Sequence, residues 1–66
     1  MKIEFNGTTE ETAAGTTIRA FLDAHKLTGP NLILEWNGEI LSLPQAAEAV
    51  LNDGDALNVF SLVGGG

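Results

Sequence analysis

Two Asn-Gly pairs, Asn6-Gly7 and Asn37-Gly38, constrain the fold of this chain more than any other feature of its sequence. Both residue types tolerate positive φ angles, so the pair favours a two-residue turn between antiparallel strands. Each pair follows a segment suited to a strand. Residues 1–5 alternate apolar and polar side chains with a period of two, and residues 32–36 are rich in apolar and aromatic side chains. The sequence therefore predicts two β-hairpins.

An amphipathic helix is predicted between the two hairpins. Thr16 or Thr17 can cap its first turn, and Ile18, Phe21 and Leu22 form one apolar stripe. A proline and its preceding glycine at positions 29–30 mark a point by which this helix has ended. The predicted elements are strands at 1–5 and 8–12, the helix from residue 18, strands at 32–36 and 39–43, a short helical turn at 45–51, and a strand at 56–63.

These elements predict one α+β domain. The first and last strands cannot form a sequential hairpin, so we expect them to pair in the centre of the sheet, where a right-handed crossover makes them parallel. The result is a mixed four- to five-stranded sheet packed on one helix, with a short second helical turn. The 66 residues leave no room for a second domain or a deep cavity.

The composition removes most catalytic and metal-binding chemistry. The chain has no cysteine, so neither a disulfide nor a thiolate metal site can form. It has no tyrosine either. Its one histidine, His25, is predicted at the end of the helix, where an imidazolium complements the helix dipole. Asp53-Gly54-Asp55 lacks the further oxygen ligands of a calcium loop and is interpreted as a turn. We therefore expect no catalytic residue, no metal and no bound cofactor.

The charge balance predicts which partners the chain avoids. Nine acidic and three basic residues give a net charge of −6, whereas nucleic acids and anionic membranes attract Lys and Arg. No stretch approaches the ~20 apolar residues of a membrane span, and the N terminus does not resemble a signal peptide. We expect a cytoplasmic protein that binds neither nucleic acid nor membranes and is attracted to basic surfaces on partners.

The last three residues, Gly64, Gly65 and Gly66, form an arm without side chains. Glycine makes up about 7% of ordinary sequence, so three in a row here arise by chance on the order of three times in ten thousand. Three extended residues reach about 10 Å and can enter a channel too narrow for a Cβ atom. An α-carboxylate of ordinary pKa, about 3.5, is ionised at neutral pH and must be activated before a nucleophile attacks it. We predict a domain over residues 1–63 and a flexible functional tail over residues 64–66.

Several short motifs together resemble the ThiS/MoaD family of ubiquitin-like sulfur carriers. They are the two Asn-Gly turns, Ala14-Gly15-Thr16 before the helix, Asp53-Gly54-Asp55, Val59-Phe60, and the end Val63-Gly64-Gly65-Gly66. The resemblance covers the whole chain, and its specificity lies in the Gly-Gly end combined with the strand order. These carriers often have Ala or another small residue where this chain has Gly64.

The resemblance implies a ubiquitin-like β-grasp fold and a carrier function rather than an enzymatic one. A ThiF-like adenylyltransferase would use ATP and Mg²⁺ to convert the Gly66 carboxylate to an acyl-adenylate. Sulfur from a persulfide, supplied by a donor such as a cysteine desulfurase, would displace AMP and leave a thiocarboxylate. A ThiG-like thiazole synthase would then use this sulfur in thiamine biosynthesis. In this interpretation Gly66 is modified, and Gly64 and Gly65 thread into the partner.

The alternation in the last strand predicts a surface for that partner. If residues 57 and 59 point to the core, then Asn58, Phe60 and Leu62 point outward on the strand that leads to the tail. An exposed Phe and Leu beside a reactive end are typical of a binding surface. We predict that these three residues, with Glu35 of the neighbouring strand, contact the activating enzyme. The alternative is a Phe60 side chain tucked under a loop.

Three other functions are compatible with the same fold and tail. The chain could carry sulfur for molybdopterin or another sulfur-transfer pathway. It could be a ubiquitin-like modifier that forms isopeptide bonds with lysines. It could also be a β-grasp interaction module whose tail is idle.

Overall fold

The computed structural model describes residues 1–27 and 31–61 of the chain. Two helices and five strands follow one another as β1 (Lys2–Phe5), β2 (Thr8–Glu11), α1 (Ile18–Ala24), β3 (Leu32–Trp36), β4 (Glu39–Ser42), α2 (Leu43–Ala46) and β5 (Ala56–Ser61). Residues 62 and 63, with which the last strand was predicted to end, lie outside the described residues.

The strands form one mixed sheet in the order β2-β1-β5-β3-β4. The central strand, β5, is parallel to β1, with Phe5 opposite Leu57, and antiparallel to β3, with Leu34 opposite Val59. The first and last strands are therefore central neighbours, as the connectivity predicted. The α+β, ubiquitin-like β-grasp architecture expected from the sequence is confirmed, with five strands.

Both Asn-Gly pairs form the predicted turns with left-handed backbone conformations. The φ angles are 49° at Asn6 and 85° at Gly7, and 51° at Asn37 and 88° at Gly38. A Cβ atom at either glycine would meet no other atom within 4 Å. Glycine is therefore required at these two positions by the backbone conformation and not by lack of space.

The hydrophobic core lies between the helices and one face of the sheet. The apolar stripe predicted for α1 is buried there, with Ile18 and Leu22 fully inaccessible to solvent. Side chains from β1, β3 and β5 meet it from the sheet. The buried apolar residues are Ile3, Phe5, Ile18, Phe21, Leu22, Leu34, Leu43, Ala46, Ala47, Leu51 and Leu57.

Helix α1 is closed by side-chain and backbone hydrogen bonds at its two ends. The Thr17 hydroxyl accepts from the Ala20 N–H at 3.1 Å, which confirms Thr17 as the cap. At the other end Lys26 has a φ of 60°, and the Leu27 N–H donates to the Leu22 carbonyl at 2.8 Å, a Schellman-type ending. The Gly-Pro pair at 29–30 lies outside the described residues. In residues 1–27 and 31–61, neither helix is long and apolar enough to cross a bilayer.

The second helix is shorter and begins earlier than predicted. It spans Leu43–Ala46 and not residues 45–51, so residue 43 starts the helix and does not end strand β4. Gln45 Oε1 accepts from both the backbone N–H and the hydroxyl of Ser42, at 2.8 and 3.0 Å, which sets this earlier start.

The segment after α2 is not helical because the start of α1 uses its carbonyl groups. The Ala49 and Ala47 carbonyls accept from the Ile18 and Arg19 N–H groups, at 2.9 and 3.0 Å. These N–H groups belong to the first turn of α1, where no intrahelical acceptor exists. An α-helical course through residues 47–51 would turn those carbonyls inward, so the extended course is the one that satisfies both segments.

Candidate functional site on the open face of the sheet

The structure describes some of the predicted functional residues and not others. Gly64, Gly65 and Gly66, the predicted tail, and Leu62 lie outside the described residues. Glu35, Asn58 and Phe60 are described, on β3 and β5. The site is therefore built from β5, the strand that leads to the tail, and from the strands beside it.

The alternation along β5 places its side chains on two different faces. Leu57 is fully buried and Val59 packs against the core. Asn58 and Phe60 consequently point to the opposite face, which carries no helix. Phe60 is 53% exposed, so its side chain does not tuck under a loop formed by the described residues.

An apolar patch surrounds Phe60 on this open face. Phe60 lies directly opposite Ile33 of β3, and Ile40 of β4 lies opposite Glu35, diagonal to Ile33. Ile40 is the most exposed large hydrophobic residue in the described ranges, at 69%. We call Ile33, Ile40 and Phe60 the open-face patch. Three neighbouring strands thus contribute one apolar side chain each to a surface beside the end of β5.

Sequence reasoning did not identify Ile33 and Ile40 as part of this surface, although a signal for them exists. A two-residue Asn-Gly turn pairs Trp36 with Glu39 and therefore Glu35 with Ile40. Residues directly opposite in antiparallel strands share a face. The register of the second hairpin would have placed Ile40 beside Glu35, on the face predicted for Phe60.

Polar groups connect and surround the patch. Asn58 Nδ2 donates to Glu35 Oε1 at 3.1 Å, so these two predicted interface residues contact each other across β5 and β3. Lys2 and Glu4 alternate with the buried residues of β1 and point to the same open face, and Glu11 of β2 lies opposite Lys2. The patch therefore lies on a mainly acidic surface.

Strand β5 is held on both sides by the two Asn-Gly turns. On the β1 side, the Val59 N–H donates to Asn6 Oδ1 at 2.9 Å and the Asn6 N–H donates to the Leu57 carbonyl at 3.0 Å. On the β3 side, the Ala56 N–H donates to Asn37 Oδ1 at 2.8 Å, and the Asn37 N–H donates to the Ala56 carbonyl at 2.9 Å. The asparagine of each hairpin turn therefore also holds β5 in place.

Asp55 organises the turn that precedes β5. It is only 7% exposed and accepts from Trp36 Nε1 at 2.9 Å, Asn37 Nδ2 at 3.0 Å and the Asn52 N–H at 2.8 Å. Burial alone would raise the pKa of this carboxyl, but the hydrogen bonds from Asn37, Asn52 and Trp36 outweigh it and lower the pKa. The predicted turn is confirmed, but the burial of Asp55 was not predicted. The half-buried Trp36 ring packs against the core.

His25 has a structural environment on the opposite side of the molecule's core. Its ring forms a cluster with the rings of Phe5 and Phe21, at centroid distances of 5.1 and 4.2 Å. Its Nδ1 lies 2.9 Å from the Phe21 carbonyl oxygen, and its Nε2 lies 3.4 Å from Glu10 Oε1. Each ring nitrogen thus lies near an oxygen atom, one of the backbone and one of a carboxylate. Among residues 1–27 and 31–61, no group of three or more His, Asp or Glu side chains could hold a metal ion.

Comparison with known proteins places this fold and tail in one family. The sequence model of the ThiS family matches residues 3–66. A crystal structure of the thiamine biosynthesis protein ThiS from Geobacter metallireducens superimposes with a TM-score of 0.81 at 28% identity, over 100% of both chains. A protein named thiazole synthase from Paramagnetospirillum magneticum is 32% identical over 66 residues. That match covers all of this chain and 20% of the relative, so the chain spans about a fifth of that protein's length.

Proposed function

Because the chain belongs to the ThiS family, we propose that it is a sulfur carrier protein that serves the formation of the thiazole of thiamine. The observation that carries the proposal is the family match over residues 3–66, which includes the three terminal glycines. The structural likeness to a thiamine biosynthesis protein over the full length of both chains supports it.

The proposed chemistry takes place at the Gly66 carboxylate. A carboxylate resists nucleophilic attack, so a ThiF-like adenylyltransferase first joins it to AMP, using ATP and Mg²⁺ bound to that enzyme. The terminal sulfur of a persulfide, which a donor such as a cysteine desulfurase supplies, then displaces AMP to give an acyl disulfide, and a thiol reduces the S–S bond of this intermediate. The product is a C-terminal thiocarboxylate. Gly64 and Gly65 add no side chain to the segment that must enter the enzyme, and the carrier contributes no catalytic group.

The relative named thiazole synthase supports the identity of the sulfur acceptor. Its likeness to this chain covers only a fifth of its own length. The rest of that protein lies outside the match, and we assign the synthase activity to it. A carrier-like segment and a thiazole synthase in one polypeptide are then partners in one reaction, and we propose a ThiG-like thiazole synthase as the acceptor for this chain.

The open-face patch is the proposed docking surface for the adenylyltransferase. Ile33, Ile40 and Phe60 present apolar area next to the end of β5. Exposed aromatic and aliphatic side chains that lie together are typical anchors of protein interfaces. The Asn58–Glu35 pair crosses the same surface, and we include both residues and Leu62 in the interface. The acidic surroundings favour a partner with basic residues around an apolar depression.

Intact-mass measurement tests the proposed function. The chain is incubated with ATP, Mg²⁺, a ThiF-like adenylyltransferase, a persulfide donor and a thiol reductant, and the expected product has one oxygen replaced by sulfur. A chain that lacks Gly66 is the matched control and should remain unmodified, while its stability barely changes because an exposed terminal residue packs against little. Adducts to lysines of other proteins, without sulfur, would instead identify a protein modifier. An unchanged mass for the full chain would contradict the sulfur-carrier proposal.

A further inference from the structure

The hydrogen bond from Val59 to Asn6 lies beyond the end of the β1–β5 ladder. Strand β1 ends at Phe5, which is opposite Leu57, and the chain then turns away at Asn6. The Asn6 N–H is the last backbone group of this segment to reach β5, where it donates to the Leu57 carbonyl. The next donor on the same side of β5 is the Val59 N–H, because backbone groups along a strand alternate sides. It has no backbone acceptor in β1.

The Asn6 side chain supplies the missing acceptor. Its Oδ1 lies 2.9 Å from the Val59 nitrogen and takes the place that a carbonyl of a longer β1 would occupy. The ladder on this side of β5 therefore continues by one hydrogen bond toward the tail. Asn is suited to both tasks because it tolerates the φ of 49° that the turn requires and has a short side chain that can accept a hydrogen bond.

Beyond Val59, the described part of β5 is held by β3. Phe60 pairs with Ile33 and Ser61 with Leu32. Without the Asn6 acceptor, β5 would be held from both sides only as far as Leu57. Four residues, 58–61, would then follow a course set by β3 alone. This half of the strand carries Asn58 and Phe60 and leads directly to the tail.

We propose that Asn6 is a positioning residue that fixes the tailward half of β5 and, through it, the direction in which the glycine arm is presented to the adenylyltransferase. The proposal rests on the proposed carrier function. With the Asn6 contact, β5 is held from both sides as far as Val59, the residue next to Phe60. A β5 end held on one side samples several arrangements, and the enzyme must order it at each encounter, which weakens productive binding.

Asn37 provides the internal contrast. Its Oδ1 accepts from the Ala56 N–H at the start of β5, and its Nδ2 donates to Asp55. It therefore anchors the end of β5 that is remote from the tail. Loss of Asn37 contacts should lower the stability of the whole fold without a selective effect at Val59.

Two substitutions at position 6 separate the turn from the acceptor. Asn6→Gly keeps a residue that readily adopts positive φ but removes the side-chain oxygen. Asn6→Asp keeps an oxygen at the same position and also tolerates the turn. Amide hydrogen exchange should become about fivefold faster at Val59 in Asn6→Gly, the effect of losing one hydrogen bond of ordinary strength. It should stay near the wild-type rate in Asn6→Asp, and core amides such as that of Leu34 should be unchanged in both.

Adenylation kinetics then connect the local exchange to function. We expect kcat/KM for adenylation of the carrier to fall about fivefold in Asn6→Gly, through KM, and to be retained in Asn6→Asp. Unchanged exchange at Val59 would overturn the proposal, and so would equal acceleration at all core amides, which indicates a role in global stability only. Selective exchange at Val59 with normal kinetics would overturn the role in presentation. Failure of the wild-type chain to be adenylated would refute the proposed function, whereas the exchange measurement tests the Asn6 contact by itself.

Discussion

At the scale of single residues, Asp55 shows how a turn becomes part of the core. Three donors converge on its buried carboxylate, from the side chains of Trp36 and Asn37 and from the Asn52 backbone. Removal of the charge leaves these donors with a weaker acceptor or none. We expect Asp55→Asn to lower the free energy of unfolding at pH 7 by about 1–3 kcal/mol. Urea denaturation measures this change, and Asp23→Asn, a charge-matched change at an exposed residue of α1, should have little effect.

The same carboxylate makes stability depend on pH in a defined direction. The folded pKa of Asp55 lies below its ordinary value of 3.8. The ionised group therefore stabilises the fold fully above that value, and its contribution is lost as the pH falls through the lower folded pKa. The stability difference between the wild-type chain and Asp55→Asn should thus narrow in acid. A difference that stays constant from pH 7 to the acid limit would contradict this assignment.

Phe60 belongs to the proposed interface and not to the core. Because the ring is 53% exposed, Phe60→Ala should leave the unfolding free energy nearly unchanged. It should weaken binding to the adenylyltransferase about tenfold or more, as removal of an aromatic anchor does. Val50, 48% exposed and outside the sheet, is the matched control: Val50→Ala should bind normally. Calorimetric titration compares the two variants, and equal binding by both would remove the open-face patch from the interface.

At the scale of elements, the start of α1 joins three segments of the chain. The Thr17 hydroxyl accepts from the Ala20 N–H. The Ala49 and Ala47 carbonyls accept from the Ile18 and Arg19 N–H groups of the same turn. We expect Thr17→Ala to destabilise the fold by about 1 kcal/mol, the ordinary effect of losing an N-cap. Thr17→Ser keeps the hydroxyl and should retain most of that stability. Guanidinium denaturation with an unchanged m-value would assign the loss to the cap and not to a change in the unfolded state.

These elements also show what could be predicted from the sequence and what could not. Alternation and Asn-Gly turns are local signals, and they predicted both hairpins, the position of β5 and the outward direction of Phe60. The end of α2 depends on residues 47–51, whose carbonyls bond to a helix about thirty positions earlier in the chain. Helix propensities depend on local sequence and cannot predict such a long-range contact. The residues at 45–50 have high helix propensity, so the sequence predicted a longer helix, which was wrong. The Asn6 and Asp55 side-chain contacts likewise depend on the tertiary placement of β5.

At the scale of the whole molecule, the net charge of −6 predicts how the chain meets the proposed adenylyltransferase. If the adenylyltransferase has a basic docking surface, long-range attraction raises the association rate at low salt. Raising the ionic strength from ~0.01 M to ~0.15 M shortens the screening length from about 30 Å to about 8 Å and should raise the KM for the carrier. Glu35→Gln, on the open face, should reduce this salt dependence, whereas Asp23→Asn on α1 should not. Steady-state kinetics at several salt concentrations checks the prediction, and a salt-independent KM would refute it.

The central position of β5 also has a mechanical consequence. If the proposed adenylyltransferase draws the glycine arm into a narrow channel, it pulls along this strand. Hydrogen bonds to β1 and β3 run across the direction of pull, so the load is shared among them in shear, and they do not open one at a time as at a peeled edge strand. We therefore expect a chain that is pulled from its C-terminal end to resist force until the hydrogen bonds of β5 break together.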